Sequence, residues 1–238
     1  MGEYFSWINL DRKEYISPSD FEIGNKRYES VSINNALLCA LRELMGNEWK
    51  GSKIIFIGDE CGQSSINIPN ILNDILQDDN FEGNFVDYAY ENFQNISCKF
   101  EAARKTVTEE ISIFLERSRR GEDDFINEYG IDINNPFAGM FNRKGKSYKY
   151  TINYSKGEAY CLDTTKIITS DDNVLDSIDP LPVLLGYGNT MQPGEWLGDF
   201  VGVSDLLDTG ITLLEKTKGP RGKINKFLEE TIVNIQIF

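Results

Sequence analysis

The residues best suited by type and position to do chemistry are Asp59 and Glu60, which follow directly on the apolar run SKIIFIG at residues 52–58. Carboxylates at the C-terminal end of a buried strand can hold Mg²⁺ through oxygen ligands, or serve as a general acid and base. Adjacent residues of an extended chain point to opposite faces, however, so a centre using both would need a third acidic group from elsewhere. The commoner fate of acids at a strand end is a solvated loop. Asp171, Asp172, Asp176 and Asp179 share the composition of a calcium loop but not the D-x-[DN]-x-[DN]-G-x₅-E spacing, and read as a solvated acidic loop. Gly186-Tyr187-Gly188 supplies a G-x-G without the third glycine or a following helix. No G-x-x-x-x-G-K-[ST] run occurs, so a phosphate cradle is unsupported. Trp7, Trp49 and Trp196, with the tyrosines, could line a ligand pocket; aromatics in strands more often build the core.

The chain of 238 residues contains no histidine. Ser-His-Asp and Cys-His catalysis, His-ligated zinc and the usual proton shuttle near neutral pH are therefore unavailable to it. Cys39, Cys61, Cys98 and Cys161 are widely separated and form no C-x-x-C pair, so the expectation is reduced core cysteines with no metal and no cofactor.

Formal net charge is −14, and residues 54–98 carry eight acidic side chains with no Lys or Arg. Such a surface repels phosphate backbones and attracts a basic protein, so nucleic acid is disfavoured and the expected partner is a basic protein with no nucleic acid. Acidity also serves plain solubility. No stretch reaches the length of a membrane span, and the N-terminus lacks a basic region followed by an apolar one, so a cytoplasmic location is expected. MGEYFS fits an N-terminal acylation pattern, but with the acidic Glu3 and no polybasic second signal it reads as a chance match.

The elements that would position these residues follow from periodicity. Residues 2–10 read as a first strand, 11–13 as a turn and 14–16 as its hairpin partner. Residues 36–45 read as a helix capped by Asn34 or Asn35, with Leu37, Leu38, Leu41 and Leu44 on one face. Residues 52–57 make the clearest central strand. Residues 69–77 and 85–93 read as helices with acidic outer faces, and 95–120 as the longest helix, with Phe100, Val107, Ile111 and Phe114 in its buried stripe. An acidic loop over 121–140 precedes a β-hairpin at 148–165 turning at Lys156-Gly157. Residues 169–179 form the second acidic loop. The glycine-rich stretch 179–205 reads as strand, turn and strand: an apolar strand over 183–185, a turn at Gln192-Pro193-Gly194-Glu195, and buried aromatics. A short strand at 210–214, a basic linker at 216–226 and a helix at 227–237 complete the chain. The expectation is one α+β domain over residues 1–238, with a mostly antiparallel sheet in the second half and a helical middle segment.

Four fragments, MGEYFSWINLDRKEYISPSDFEIGNK, LLCALRELMGNEWKGSKIIFIGDE, DPLPVLLGYG and GEWLGDFVGVSD, resemble a group of bacterial proteins, mainly from Gram-positive genomes, that look like immunity partners of secreted or contact-delivered toxins. The resemblance covers the two ends of the chain and implies no active-site residues. It implies a protein that binds and occludes a toxin, and the acidic charge read above makes a basic toxin domain the expected partner. Asp59, Glu60, Asp78, Asp79, Glu82, Asp171, Asp172 and Asp176 are then the expected partner-binding acids. The alternatives are a Mg²⁺-dependent carboxylate enzyme centred on Asp59 and Glu60, and a prophage or structural subunit.

Overall fold

A computed structural model describes residues 3–21, 29–31, 36–65, 67–76, 81–100, 148–168, 174–175, 178–189 and 192–219. Strands β1 (Phe5–Asn9), β2 (Glu14–Ile16) and β3 (Ser52–Gly58) pair antiparallel in the order β3-β1-β2. The β1–β2 turn is closed by Lys13 at φ +52°, and Asn9 Oδ1 accepts from Arg12 N at 3.0 Å. The continuous apolar run of β3 is explained by burial on both faces, the situation in which strands lose their alternation. Ile54 and Phe56 join one hydrophobic cluster, Ile55 and Ile57 the other.

The first cluster is closed by α1 (Ala36–Gly46), whose Leu37, Leu38, Leu41 and Leu44 are all buried, as their spacing predicts. The second is closed by α2 (Asn70–Leu76) and α3 (Phe85–Asn92), through Leu72, Leu76, Phe85, Val86 and Ala89. Each fully buried Leu, Ile or Phe contributes about 1.5–3 kcal/mol, so the two layers together fix the sheet between them. Trp7 and Trp49 lie in the first layer and are completely buried.

The other edge of β3 is divided between two neighbours. Its end, Phe56–Ile57, pairs parallel with β9 (Gly186–Tyr187), and its start, Ser52–Lys53, pairs antiparallel with β10 (Phe200–Ser204). β10 continues the sheet into the hairpin of β5 (Tyr150–Asn153) and β6 (Glu158–Tyr160), with β11 (Thr212–Leu213) parallel at one rim. At the opposite rim β4 (Gln94–Asn95) pairs parallel with β2. Strands from both halves of the chain thus form one nine-stranded mixed sheet among the described residues. A small second sheet joins β7 (Lys166–Ile168), β8 (Val174–Leu175) and β12 (Lys216–Lys218). The fold is α+β, and no described helix is long and apolar enough to cross a membrane.

The hairpin over 148–165 forms with Gly157 in the left-handed region at φ +65°. Its polar positions are not turned to solvent: Thr151 and Asn153 are buried. Asn153 satisfies its side chain by donating to Asp199 Oδ2 at 2.7 Å and accepting from Lys156 N at 3.0 Å, which also shapes the turn.

Several expectations are corrected. The apolar run at 183–185 is not a strand: α4 (Leu181–Leu184) occupies it, and the strand begins two residues later at Gly186. Pro180 sits at φ −72°, ψ −10° and Pro182 lies in the first turn, so the prolines pre-set helical backbone, and Leu185 N closes the turn on Leu181 O at 3.0 Å. The turn placed at 192–195 lies at 195–198, closed by Gly198 at φ +87°. Of the aromatics in that stretch, Tyr187 and Trp196 are buried while Phe200 is 43% exposed. The helix expected to start at Asn95 does not: Gln94–Asn95 is strand, and Ser97–Phe100 is a 3₁₀ turn. Asn95 Oδ1 accepts from Ser97 N at 2.9 Å and Ile96 N donates to Tyr15 O at 3.0 Å, so local and ladder bonds win over the apolar periodicity. The remainder of that helix, with Val107, Ile111 and Phe114, lies outside the described residues, as do the 121–140 loop, the Asn34/Asn35 cap and the 227–237 helix. The basic linker begins as a strand, since Lys216–Lys218 is β12. Cys61 and Cys161 are buried free thiols, but Cys98 is exposed and so is not a core residue.

Candidate functional site: the acidic rim at the end of the central strand

At the C-terminal end of β3 the chain passes Gly58 into Asp59. Asp59 prolongs the pairing with the N-terminal segment: its N–H donates to Tyr4 O at 2.7 Å, and its Oδ1 accepts from Tyr4 N at 2.9 Å. Glu60 is exposed to solvent. The next residues then fold against the entry to α3, with Gly62 bridging Asn84 and Phe85 N donating to Cys61 O at 2.7 Å. A Cβ on Gly62 would lie 2.7 Å from Gly83 O, so the close approach itself demands glycine. Asn84 caps α3, accepting from Asp87 N at 2.9 Å. The segment bearing Asp59 and Glu60 is thereby set beside the one bearing Glu82 and Asp87, both exposed.

A further carboxylate, absent from the sequence-derived set, joins this rim. Glu3 lies across Gly58, where a Cβ would meet its carboxylate at 2.1 Å. Its Oε1 accepts from Asn189 N at 3.0 Å and from the Cys61 thiol at 3.6 Å. Half-burial pushes the Glu3 carboxyl above its ordinary range; the bonds from Asn189 and Cys61 pull it down, and Glu60 and Asp59 push it up again. The Cys61 thiol is driven far up by burial and by Glu3, which leaves it a protonated donor rather than a nucleophile. Burial likewise takes the Tyr187 phenol up to about 12. The only hint of Glu3 in the sequence is the small residue Gly58 that gives it room. The contact itself spans 186 residues to Asn189 and is invisible to any local pattern.

On α3 the buried side is Phe85, Val86 and Ala89, and the exposed side carries Asp87, Tyr90 and Glu91. Two tyrosines accompany the acids at the surface: Tyr4 is 49% and Tyr90 38% exposed. Tyr90 is fixed, its ring stacked on Tyr15 with centroids 4.5 Å apart and its hydroxyl bonded to Ser6 Oγ at 2.6 Å and Ser17 Oγ at 3.1 Å.

Of the acids singled out in the sequence, Asp59, Glu60 and Glu82 lie on this rim. Asp78, Asp79, Asp171, Asp172 and Asp176 lie outside the described residues. Asp179 is corrected outright: it is not solvated but completely buried. Its Oδ2 accepts from Arg42 Nε at 3.1 Å and Nη2 at 2.6 Å, and its Oδ1 from Tyr160 OH at 2.6 Å and Leu181 N at 3.0 Å. Burial alone would lower the Arg42 basicity, but the Asp179 charge overrides it and the guanidinium stays cationic. Burial, then Asp179, drives the Tyr160 phenol well up. Both Asp179 oxygens are engaged, so this centre ties α1, β6 and α4 together and is closed to a ligand.

Among the described residues no three His, Cys, Asp or Glu side chains are placed together to hold a metal ion. Compared with family models, curated proteins and solved structures, the chain finds no match in any of the three.

Proposed function

We propose that this protein is an immunity-type binding protein that neutralises a basic toxin domain in the cytoplasm by covering it. The observation that carries the reading is the acidic rim: Asp59 and Glu60, Glu82 and Asp87 come from separate segments, are brought side by side at one end of the sheet, and lie in a stretch, 54–98, with no Lys or Arg. Exposed tyrosines flank them, and interface energy concentrates in such aromatic anchors. A field of one sign raises the association rate by about 10–10³-fold and loses that advantage in salt. The test is protection: cells producing the toxin encoded beside this gene should survive when the protein is co-produced. Charge reversal of Glu60, Glu82 and Asp87 together should slow association at least about tenfold at low salt while dissociation changes little. Full protection by the charge-reversed protein, with an unchanged association rate, would refute the reading.

Glu3 favours a second reading, a carboxylate acid–base site, because it supplies a half-buried acid of raised pKa close to Asp59 and Glu60. Glu3→Gln would then abolish a hydrolytic activity while leaving complex formation intact. Under the binding reading the same substitution leaves protection unchanged.

A further inference from the structure

We infer that Tyr90 is the anchor of the partner interface, and that it receives an arginine of the basic partner, stacked on its exposed ring and paired with Asp87. The inference rests on the binding reading above and names the contact within it. In α3 the residues at 87, 90 and 91 share one face, at spacings of three and four, opposite the buried Phe85, Val86 and Ala89. An exposed tyrosine on a surface helix is ordinary; this one is held at both ends. Its ring lies on Tyr15, at an interplanar angle of 25°, and its hydroxyl is already bonded to Ser6 and Ser17. Nothing polar on it needs a new partner, and its rotamer is chosen before any encounter.

That fixation matters because association is opposed by the ordering of side chains at the interface, about 0.5–1.5 kcal/mol for each mobile one. A pre-fixed ring escapes this loss, and with one face on Tyr15 and the residue 38% exposed it leaves aromatic surface beside the acids of α3. The group that uses both features is a guanidinium. It is planar, stacks on an aromatic face and bonds a carboxylate with its edge at the same time, whereas an ammonium is a compact, strongly hydrated point charge. Asp87 stands three residues before Tyr90, the spacing of neighbours on a helix surface, to take that edge.

The test uses the whole chain and two probes, an acetylated six-residue arginine peptide and its lysine counterpart, titrated at low ionic strength by calorimetry and by amide chemical shifts. The arginine peptide is expected to bind about two- to five-fold more tightly than the lysine peptide, the margin of an exposed cation–π contact. Tyr90→Ala should erase that margin, and Tyr90→Phe, which keeps the ring on Tyr15 but loses the hydroxyl bonds to Ser6 and Ser17, should retain part of it. In the unmodified protein the largest shifts on adding the arginine peptide should fall at residues 87–91 and Tyr15, a readout that stands even if Tyr90→Ala fails to fold. If the arginine margin survives Tyr90→Ala, or the shifts concentrate elsewhere while Glu60→Lys with Glu82→Lys abolishes binding of both peptides, Tyr90 is not the anchor and the acidic-rim reading stands without it. If neither peptide binds the unmodified protein, the acidic-rim reading fails and the inference falls with it.

Discussion

The Arg42–Asp179 pair makes the sharpest physical prediction. Asp179 is completely buried and accepts four hydrogen bonds, two of them from the guanidinium. In Asp179→Asn the Oδ1 position keeps Tyr160 and Leu181 N, but an NH₂ replaces Oδ2 and faces the two guanidinium donors. A buried cation is left without its counter-charge, which costs about 3–5 kcal/mol. Arg42→Met leaves the converse, a buried carboxylate with two donors and no cation, and costs a similar amount. The double variant Arg42→Met/Asp179→Asn strands no charge. Its residual cost is one buried amide donor without an acceptor, about 1–3 kcal/mol. The two single costs would sum to about 6–10 kcal/mol, so the double variant should recover several kcal/mol.

Trp7, Trp49 and Trp196 are all buried, so tryptophan fluorescence in a urea titration reports unfolding directly. Against a total stability of about 5–15 kcal/mol, either single variant is severe, with a melting temperature lower by roughly 6–20 °C for a chain of this size. A double variant as unstable as the sum of the singles, or an Asp179→Asn cost below about 1 kcal/mol, would refute the pairing argument.

Three further outcomes are expected. Glu3 and Glu14 should pull stability in opposite directions with pH. Glu3 is raised in the folded state, so folding holds an extra proton just above the ordinary glutamate range and stability falls as pH rises through the raised value; Glu3→Gln should remove that loss in melts from pH 4 to 8. Glu14 is raised by burial, but the bonds from Arg12 (2.9 Å) and Trp49 Nε1 (2.7 Å) outweigh this and leave it lowered, so its stability is present above the ordinary range and lost as pH falls through the lowered value; Glu14→Gln should flatten that acid limb. Gly194→Ala should destabilise by about 1–3 kcal/mol or more, because its Cβ would lie 2.2 Å from Leu184 O, a backbone atom that cannot step aside; a variant melting like the parent would contradict this. A thiol reagent should modify Cys98 in the native protein, and Cys61 and Cys161 only on unfolding, as mass mapping of the labelled sites would reveal.

What the sequence carried faithfully was periodicity within single elements: the leucine face of α1, the all-apolar β3, the β1–β2 and β5–β6 hairpins. In each, the pattern and the force that reads it are local, the burial of one face or two. The departures lie where prolines preset the backbone or where a distant partner decides. The run at 183–185 has strand composition, but prolines at 180 and 182 impose a helical turn, and the ladder to β3 starts only at Gly186. Asp179 sits in an acidic stretch and looks solvated; only Arg42, 137 residues away, makes its burial tolerable. Glu3 carries no local signal, because its neighbours at 58–61 and 189 are assembled by the sheet alone.

Why such a molecule would work through its rim follows from the same layering. Among the described residues the sheet is covered by α1 on one side and by α2 and α3 on the other, and the buried Arg42–Asp179 pair is closed on itself. Among the described residues, the acids just beyond the end of β3 and those on the outer face of α3 are exposed. A single exposed carboxylate acting on a charge about 10 Å away in water contributes only about 0.4 kcal/mol, and physiological salt screens it within about 8 Å. One such group could not direct a partner. Glu60, Glu82, Asp87 and Glu91, gathered without a compensating cation in residues 54–98, can do so collectively, because their fields add while each stays cheaply hydrated. On the binding reading proposed above, the fold's contribution would be the Gly62–Asn84 bridge, which joins the segment after β3 to the entry of α3 and so gathers charges that are individually weak.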